Sequence, residues 1–161
     1  MDVLNMDHLW LTRVGIGIVA GLRSMTAPAV VSWAAHLGWL HLQGSPLAFV
    51  GSTAAVAIFS LLAVSEYAID KLPQTPRRTA PVGFTARIIV GALCGACFGV
   101  SAGQPFVFGA LLGVVGAVLG TLGGYQVRTQ LVQALKVKDI FVALAEDLVA
   151  IGLGVFLVSI R

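Results

Sequence analysis

Five ionisable side chains fall inside the most apolar stretches of this sequence. Arg23 follows nine uncharged residues, and Glu66, Asp70, Glu146 and Asp147 lie in two further apolar stretches. An ionisable group at the centre of a bilayer costs at least about 2.5–3.5 kcal/mol on insertion scales, so it marks a candidate functional site. A guanidinium there can bind an anionic group or act as an internal counter-ion, whereas carboxylates can bind a cation or carry protons. The alternative is a network of salt bridges that only fixes how the helices pack.

The segment around Arg23 combines two hydroxyl groups with a helix breaker. Ser24 and Thr26 follow Arg23, and Pro28 removes a backbone donor and clashes with the carbonyl of Ser24. We therefore expect the first membrane helix to be kinked or broken here, with free carbonyl groups near the cation. Broken helices at this depth are tolerated where the backbone is buried or faces a cavity, and they commonly mark binding sites.

The ionisable side chains and the two hydroxyl groups are expected to form one candidate polar cluster that opens to the cytoplasm. Arg128, at the C-terminal end of the fourth predicted helix, belongs to the same cluster. Glu66 and Glu146 each lie about 10 Å from the same membrane face by helical rise. The candidate ion- or solute-binding residues are Arg23, Ser24, Thr26, Glu66, Asp70, Arg128, Glu146 and Asp147, with the helix break at Pro28.

The sequence carries no catalytic signature, so we expect no enzyme, no cofactor and no metal site. Cys94 and Cys97 lie among small residues and are expected to pack rather than to do redox or metal chemistry.

The composition excludes most other classes of protein. Of the 161 residues, 58% are hydrophobic and 11% are charged, whereas a soluble domain carries about 25% charged residues. These values exclude a soluble enzyme, a nucleic-acid-binding module and a disordered regulator. The net charge is +3, but the basic residues do not form the exposed stripe that nucleic-acid binding needs. The chain is predicted to be an all-α, polytopic membrane protein that has the lipid bilayer as its partner.

Five stretches are long enough to span a bilayer, because about 20 apolar residues cover a hydrocarbon core of about 30 Å. The predicted helices lie at about 9–40, 46–72, 82–102, 105–125 and 139–160. Residues 127–138 form a short amphipathic segment, which either lies in the cytoplasmic interface or extends the fourth helix. We expect residues 1–161 to form a single membrane domain.

Lysine and arginine residues are concentrated in the loops after the second and fourth predicted helices. The loops after the first and third helices contain neither residue. Cytoplasmic loops carry the excess of basic residues, and five helices place the N-terminus on the same side as the two basic loops. We therefore predict a multi-pass protein of the bacterial cytoplasmic (inner) membrane with its N-terminus in the cytoplasm. The basic residues expected on that side are Arg13, Lys71, Arg77, Arg78, Arg87, Arg128, Lys136 and Lys138.

Glycines recur at every fourth residue on three of the predicted helices. Small residues at this spacing let helix backbones approach closely in lipid, so we predict glycine-zipper packing. The pattern does not say whether the partner helix belongs to the same chain or to a second copy, and we favour a homodimer. The glycines concerned are Gly17, Gly21, Gly91, Gly95, Gly99, Gly103, Gly109, Gly113, Gly116, Gly120 and Gly124.

Three short motifs resemble a family of small bacterial membrane proteins known as domain of unknown function family 4126. They are Gly21-Leu22-Arg23 with Thr26-Ala27-Pro28, Glu66 with Asp70-Lys71-Leu72-Pro73 and Pro76-Arg77-Arg78, and Ala145-Glu146-Asp147. The resemblance spans nearly all five predicted helices. It implies that Arg23, Glu66, Asp70, Lys71, Pro73, Arg78, Glu146 and Asp147 belong to the family pattern, and it implies no activity or substrate.

The leading hypothesis is a small transporter or channel for an ion or small solute. In this hypothesis Arg23 binds an anionic group or serves as a counter-ion, while Glu66 and Glu146 bind a cation or carry protons. The alternative is a non-transporting membrane scaffold or assembly factor. An intramembrane lipid-modifying enzyme ranks last, because the sequence contains no motif for it.

Overall fold

The computed structural model describes residues 3–69, 80–135 and 139–160. Within these ranges the chain forms α-helices, one short 3-10 turn and no strand. The helices are α1 (Val3–Leu22), α2 (Thr26–His36), α3 (Thr53–Ile69), α4 (Pro81–Ser101), α5 (Phe106–Leu135) and α6 (Asp139–Ser159), and the 3-10 turn is Ala48–Gly51.

Three of these helices, α4, α5 and α6, are long and apolar enough to cross a membrane. Residues Trp10–Leu22 of α1 and the whole of α3 are apolar but shorter. The prediction of an all-helical membrane protein is therefore confirmed. By length and hydropathy, three helices of the described residues could span a membrane, whereas the sequence predicted five.

The first predicted helix is broken into two helices that lie side by side. α1 ends at Leu22 and α2 begins at Thr26. A Cβ added to Gly154 of α6 would lie within 4 Å of both Val19 in α1 and Val30 in α2. The chain therefore turns back on itself after Leu22, so residues 9–40 do not form one kinked span.

Pro28 lies at the start of α2 and not in the middle of a helix. It is the third residue of that helix, where the backbone N–H groups have no acceptor within the helix. Its missing donor therefore costs little there, and its fixed φ suits a helix start. The predicted break is confirmed, and it lies just before Pro28.

α1 and α5 run in the same direction. The rings of Trp10 and Phe108 meet edge to face with their centroids 4.8 Å apart, and further along both helices Thr121 Oγ1 donates a hydrogen bond to the carbonyl of Gly21 at 3.3 Å. We call the end of the bundle where α5 begins the turn end. The opposite end, near Arg128, is the basic end.

The prediction that Arg13 lies on the same side as Arg128 is wrong. Trp10 packs edge to face against Phe108, and the guanidinium carbon of the buried Arg13 lies 5.9 Å from the centroid of the Phe108 ring. Both contacts are at the turn end. The reason is the extra reversal after Leu22, which adds one helix and places the start of α1 opposite the basic end.

α5 passes the predicted helix end at residue 125 without interruption and continues to Leu135. Residues 127–135 of the amphipathic segment 127–138 therefore belong to the same helix as the residues before them. Residues 136–138 lie outside the described residues.

Glycines allow α1, α4 and α5 to touch backbone to backbone. A Cβ added to Gly17, Gly95 or Gly113 would lie under 3.0 Å from backbone atoms of a neighbouring helix. The partners are Gly113 and Gly116 for Gly17, Gly109 and Gly113 for Gly95, and Gly91 for Gly113. These glycine faces meet one another within the chain, so a homodimer would have to use another surface.

The segment between α2 and α3 folds over the turn end. The backbone N–H of His41 donates to Ser101 Oγ at 3.1 Å, and Leu40 and Leu42 are buried in the same core as Cys94 and Cys97. Both cysteines are free thiols packed among core side chains.

Candidate functional site

Arg23 lies in the turn between α1 and α2 and pairs with Asp147 of α6. Its side chain is fully buried, and its Nη2 lies 2.5 Å from Asp147 Oδ1. Asp147 is eight residues from the start of α6, which is about 12 Å along the helix. An uncompensated buried charge is strongly destabilising, so the carboxylate of α6 explains how this guanidinium is kept inside the bundle.

Glu66 of α3 caps the start of α2. Its Oε1 accepts hydrogen bonds from the backbone N–H of Ser24 at 2.9 Å and from Ser24 Oγ at 2.7 Å. Its Oε2 accepts from the backbone N–H of Met25 at 2.8 Å. The N–H groups at a helix start have no acceptor within the helix, and a negative charge there is favourable. Glu66 therefore holds the turn that positions Arg23.

Two residues that the sequence did not identify as site residues complete the group around Arg23. The buried Arg87 of α4 places its Nη2 4.0 Å from Glu66 Oε1. The hydroxyl of Tyr67 lies 2.6 Å from Thr26 Oγ1, and the guanidinium carbon of Arg23 lies 5.7 Å from the centroid of the Tyr67 ring, within the range of a cation–π contact. We call this group the central cluster. It consists of Arg23, Ser24, Thr26, Glu66, Tyr67, Arg87 and Asp147.

Arg128 and Glu146 belong to a second group, nearer the basic end. Arg128 forms a two-pronged ion pair with Asp139, in which the Nε–Oδ1 distance is 2.8 Å and Nη2 contacts Oδ2. Its Nη1 also lies 3.7 Å from Glu146 Oε2. The Asp139 side chain is 58% exposed, whereas that of Glu146 is 10% exposed. The one cluster expected from the sequence is therefore two groups, and Asp70 lies outside the described residues.

The depth of Arg87 was a signal in the sequence that the prediction did not use. Arg87 is the seventh residue of α4, about 9 Å from the helix start by rise. As a basic residue near a loop, Arg87 predicts only the cytoplasmic side. Tyr67 carried no comparable signal, because its role depends on the way in which α2 folds back against α3.

A cavity of about 420 Å³ lies between α2, α3 and α6. Thr26 and Tyr67 of the central cluster line it, together with Trp33, Trp39 and Ala63. A second cavity of about 350 Å³ lies beside the Arg128 group and has Gly120, Val142 and Glu146 in its wall. The central cluster is thus buried on one side and borders a cavity on the other.

Within the described residues, no group of three or more His, Cys, Asp or Glu side chains could hold a metal ion. The chemistry that the central cluster offers is that of paired carboxylates, guanidinium groups and hydroxyls. These groups can bind an ion, exchange a proton or fix the positions of the helices.

Comparison with known families gives one match, which covers nearly the whole chain. The model of the family described as "Domain of unknown function (DUF4126)" matches residues 10–160. No curated protein and no solved structure matches the chain. The matched range contains the central cluster and the Arg128 group, and the resemblance found in the sequence is confirmed. The chain belongs to the DUF4126 family.

Proposed function

We propose that this membrane protein transports an ion or a small solute through the central cluster. The observation that carries the proposal is the pair of the fully buried Arg23 with the largely buried Asp147, which lies where the helix is broken. Ionisable groups at membrane depth are costly and mark ion pathways and proton relays. Broken helices at this depth are typical of binding sites in transporters.

The contacts suggest a role for each group. Arg23 serves as the internal counter-ion of Asp147, because its guanidinium is already paired with that carboxylate. Asp147 and Glu66 are the groups that bind a cation or carry protons. Glu146, in the Arg128 group, lies between the exposed Asp139 and the interior, and it provides access from the basic end.

The orientation in the membrane follows from the basic residues. Basic loops remain in the cytoplasm, so we propose that the basic end faces the cytoplasm of a bacterial inner membrane. The N-terminus then lies outside, because α1 begins at the turn end.

A non-transporting scaffold is the second candidate. It is favoured by the ion pairs that each of Glu66, Glu146 and Asp147 makes with an arginine and by the backbone contacts of the glycines. In a scaffold the central cluster is dry. Cysteines placed at Ser24 and Thr26, in a chain whose Cys94 and Cys97 are replaced by alanine, separate the two. Labelling by a small water-soluble thiol reagent supports transport, and protection of both positions supports the scaffold.

The direct test is ion flux in vesicles that contain the purified protein. Fluxes of protons, sodium, potassium and chloride are measured for the wild type and for Asp147→Asn, Glu66→Gln and Asp139→Asn. Asp139→Asn is the matched control, because it removes an exposed carboxylate outside the central cluster. We expect flux of at least one ion that Asp147→Asn and Glu66→Gln abolish and Asp139→Asn retains. Absence of all four fluxes in the wild type contradicts ion transport, and equal flux in all variants contradicts the role of the central cluster.

A further inference from the structure

The cavity between α2, α3 and α6 has almost entirely apolar walls. Its lining includes Val30, Trp33, Ala63, Ile151 and Val155. None of the side chains that line it carries a charge at neutral pH. Ile151 and Val155 also belong to the exposed apolar surface of α6, which faces lipid if α6 crosses the membrane. A ligand can therefore reach the cavity from the bilayer.

One end of the cavity is polar, and we call it the floor. It is formed by the hydroxyls of Thr26 and Tyr67, which share a hydrogen bond of 2.6 Å. Since one hydroxyl donates to the other, the accepting hydroxyl keeps its own hydrogen, and both oxygens keep lone pairs. The floor can thus both donate to and accept from one further polar group.

The charge behind the floor is balanced. Arg23 lies against the ring of Tyr67, and Asp147 neutralises it. A charged ligand in the cavity would lose its hydration without gaining an opposite charge, which is costly. A neutral hydrogen-bonding group on the floor meets no such penalty.

We propose that this cavity binds an uncharged amphiphile from the bilayer, with a single hydroxyl or carbonyl group on the Thr26–Tyr67 floor. Its hydrocarbon body lies along Val30 and Ala63 and extends to Trp33. The volume of about 420 Å³ falls within the range of about 300–1,000 Å³ of small-molecule sites. The site does not depend on ion transport, because it uses the cavity wall and not the ion pairs.

Tryptophan fluorescence offers a direct test, because the chain has three tryptophans and two of them, Trp33 and Trp39, line the cavity. Trp10 packs on Phe108 in another part of the bundle, so its quenching reports only the partitioning of the alcohol into the micelle. Three variants each keep one tryptophan and have phenylalanine at the other two positions. Each is titrated in micelles with a bromine-labelled long-chain alcohol, which quenches nearby indoles. The charged comparison is a bromine-labelled alkyl ammonium of equal chain length.

We expect that quenching of Trp33 and Trp39 by the alcohol saturates, whereas quenching of Trp10 rises only in proportion to the alcohol concentration. The ammonium compound should give the proportional response at all three positions. Ala63→Phe, which fills the cavity, should abolish saturation, whereas Ala57→Phe on the exposed face of the same helix should leave it intact. Tyr67→Phe should weaken binding about fivefold, the effect of one hydrogen bond of about 1 kcal/mol.

Equal, non-saturating quenching at the three tryptophans would overturn the proposal. So would saturation that survives Ala63→Phe, or saturation by the ammonium compound that matches that by the alcohol. Absence of ion flux would leave this proposal intact, because the quenching is measured without any ion gradient.

Discussion

Replacing Gly113 by alanine tests the backbone contacts that hold α1, α4 and α5 together. A Cβ at Gly113 would overlap the carbonyl oxygen of Gly91 and lie 2.9 Å from its carbonyl carbon and 3.1 Å from the Cα of Gly95. Since ordinary contacts begin near 3.4 Å, α4 and α5 would have to separate. Overpacking costs about 1–3 kcal/mol, and the rigid backbone on both sides favours the upper value. Alanine has a higher helix propensity than glycine, which offsets about 1 kcal/mol of the overpacking cost. The net loss of stability is about 2 kcal/mol.

Gly123→Ala in the same helix is the matched control, because a Cβ there meets nothing within 4 Å. It should stabilise the protein by up to about 1 kcal/mol. The free energy of unfolding is measured in mixed micelles by titration with sodium dodecyl sulfate, with circular dichroism as the signal. If Gly113→Ala is as stable as Gly123→Ala, the packing of α4 on α5 described above is wrong.

Two further predictions concern a buried hydroxyl and the direction of the chain. Thr121→Val should lower the free energy of unfolding by about 1 kcal/mol, because the one hydroxyl hydrogen of Thr121 is shared between the carbonyls of Ala117 at 2.8 Å and Gly21 at 3.3 Å; unchanged stability in the same titration would count against this interaction. With Cys94 and Cys97 replaced by alanine, cysteines at the exposed positions Gln43 and Gln130 should be labelled from opposite sides of the membrane by an impermeant thiol reagent. If both cysteines are labelled from the same side, Gln43 and Gln130 do not lie at opposite ends of the bundle, and the described arrangement of the helices is wrong.

The class of protein could be predicted from the sequence because charge is scarce in it. With 11% charged residues, the few ionisable groups inside apolar stretches stand out, and Arg23 and Glu66 both lie in the central cluster. The helix break was also predictable, because the clash of Pro28 with the preceding turn is a local effect.

The partner of Arg23 could not be chosen in the same way. Glu146 and Asp147 are adjacent, and each residue turns a helix by about 100°, so they face different neighbours. Which of them meets Arg23 depends on the rotation of α6 against α1 and α2. That rotation is set by packing, as at Gly154 against Val19 and Val30, and no local pattern encodes it.

The position of the start of α1 was missed for a related reason. The sequence cannot easily distinguish one long kinked helix over residues 9–40 from two helices that fold back on each other. The count of helices changes by one between these alternatives, and each change of one moves the start of α1 to the other end of the bundle. A single local ambiguity after Leu22 therefore moved Arg13 to the end opposite Arg128.

The central claim is that the chain reversal after Leu22 brings Arg23 against Asp147 inside the bundle, and a double-mutant cycle tests it most directly. The free energies of unfolding of Arg23→Gln, Asp147→Asn and the double variant are compared with that of the wild type. Breaking a buried pair from one side costs about 3–5 kcal/mol, so each single variant should lose about that much. The double variant should lose clearly less than the two losses combined, because neither charge is left alone. Additive losses, as found for independent sites, would contradict the account.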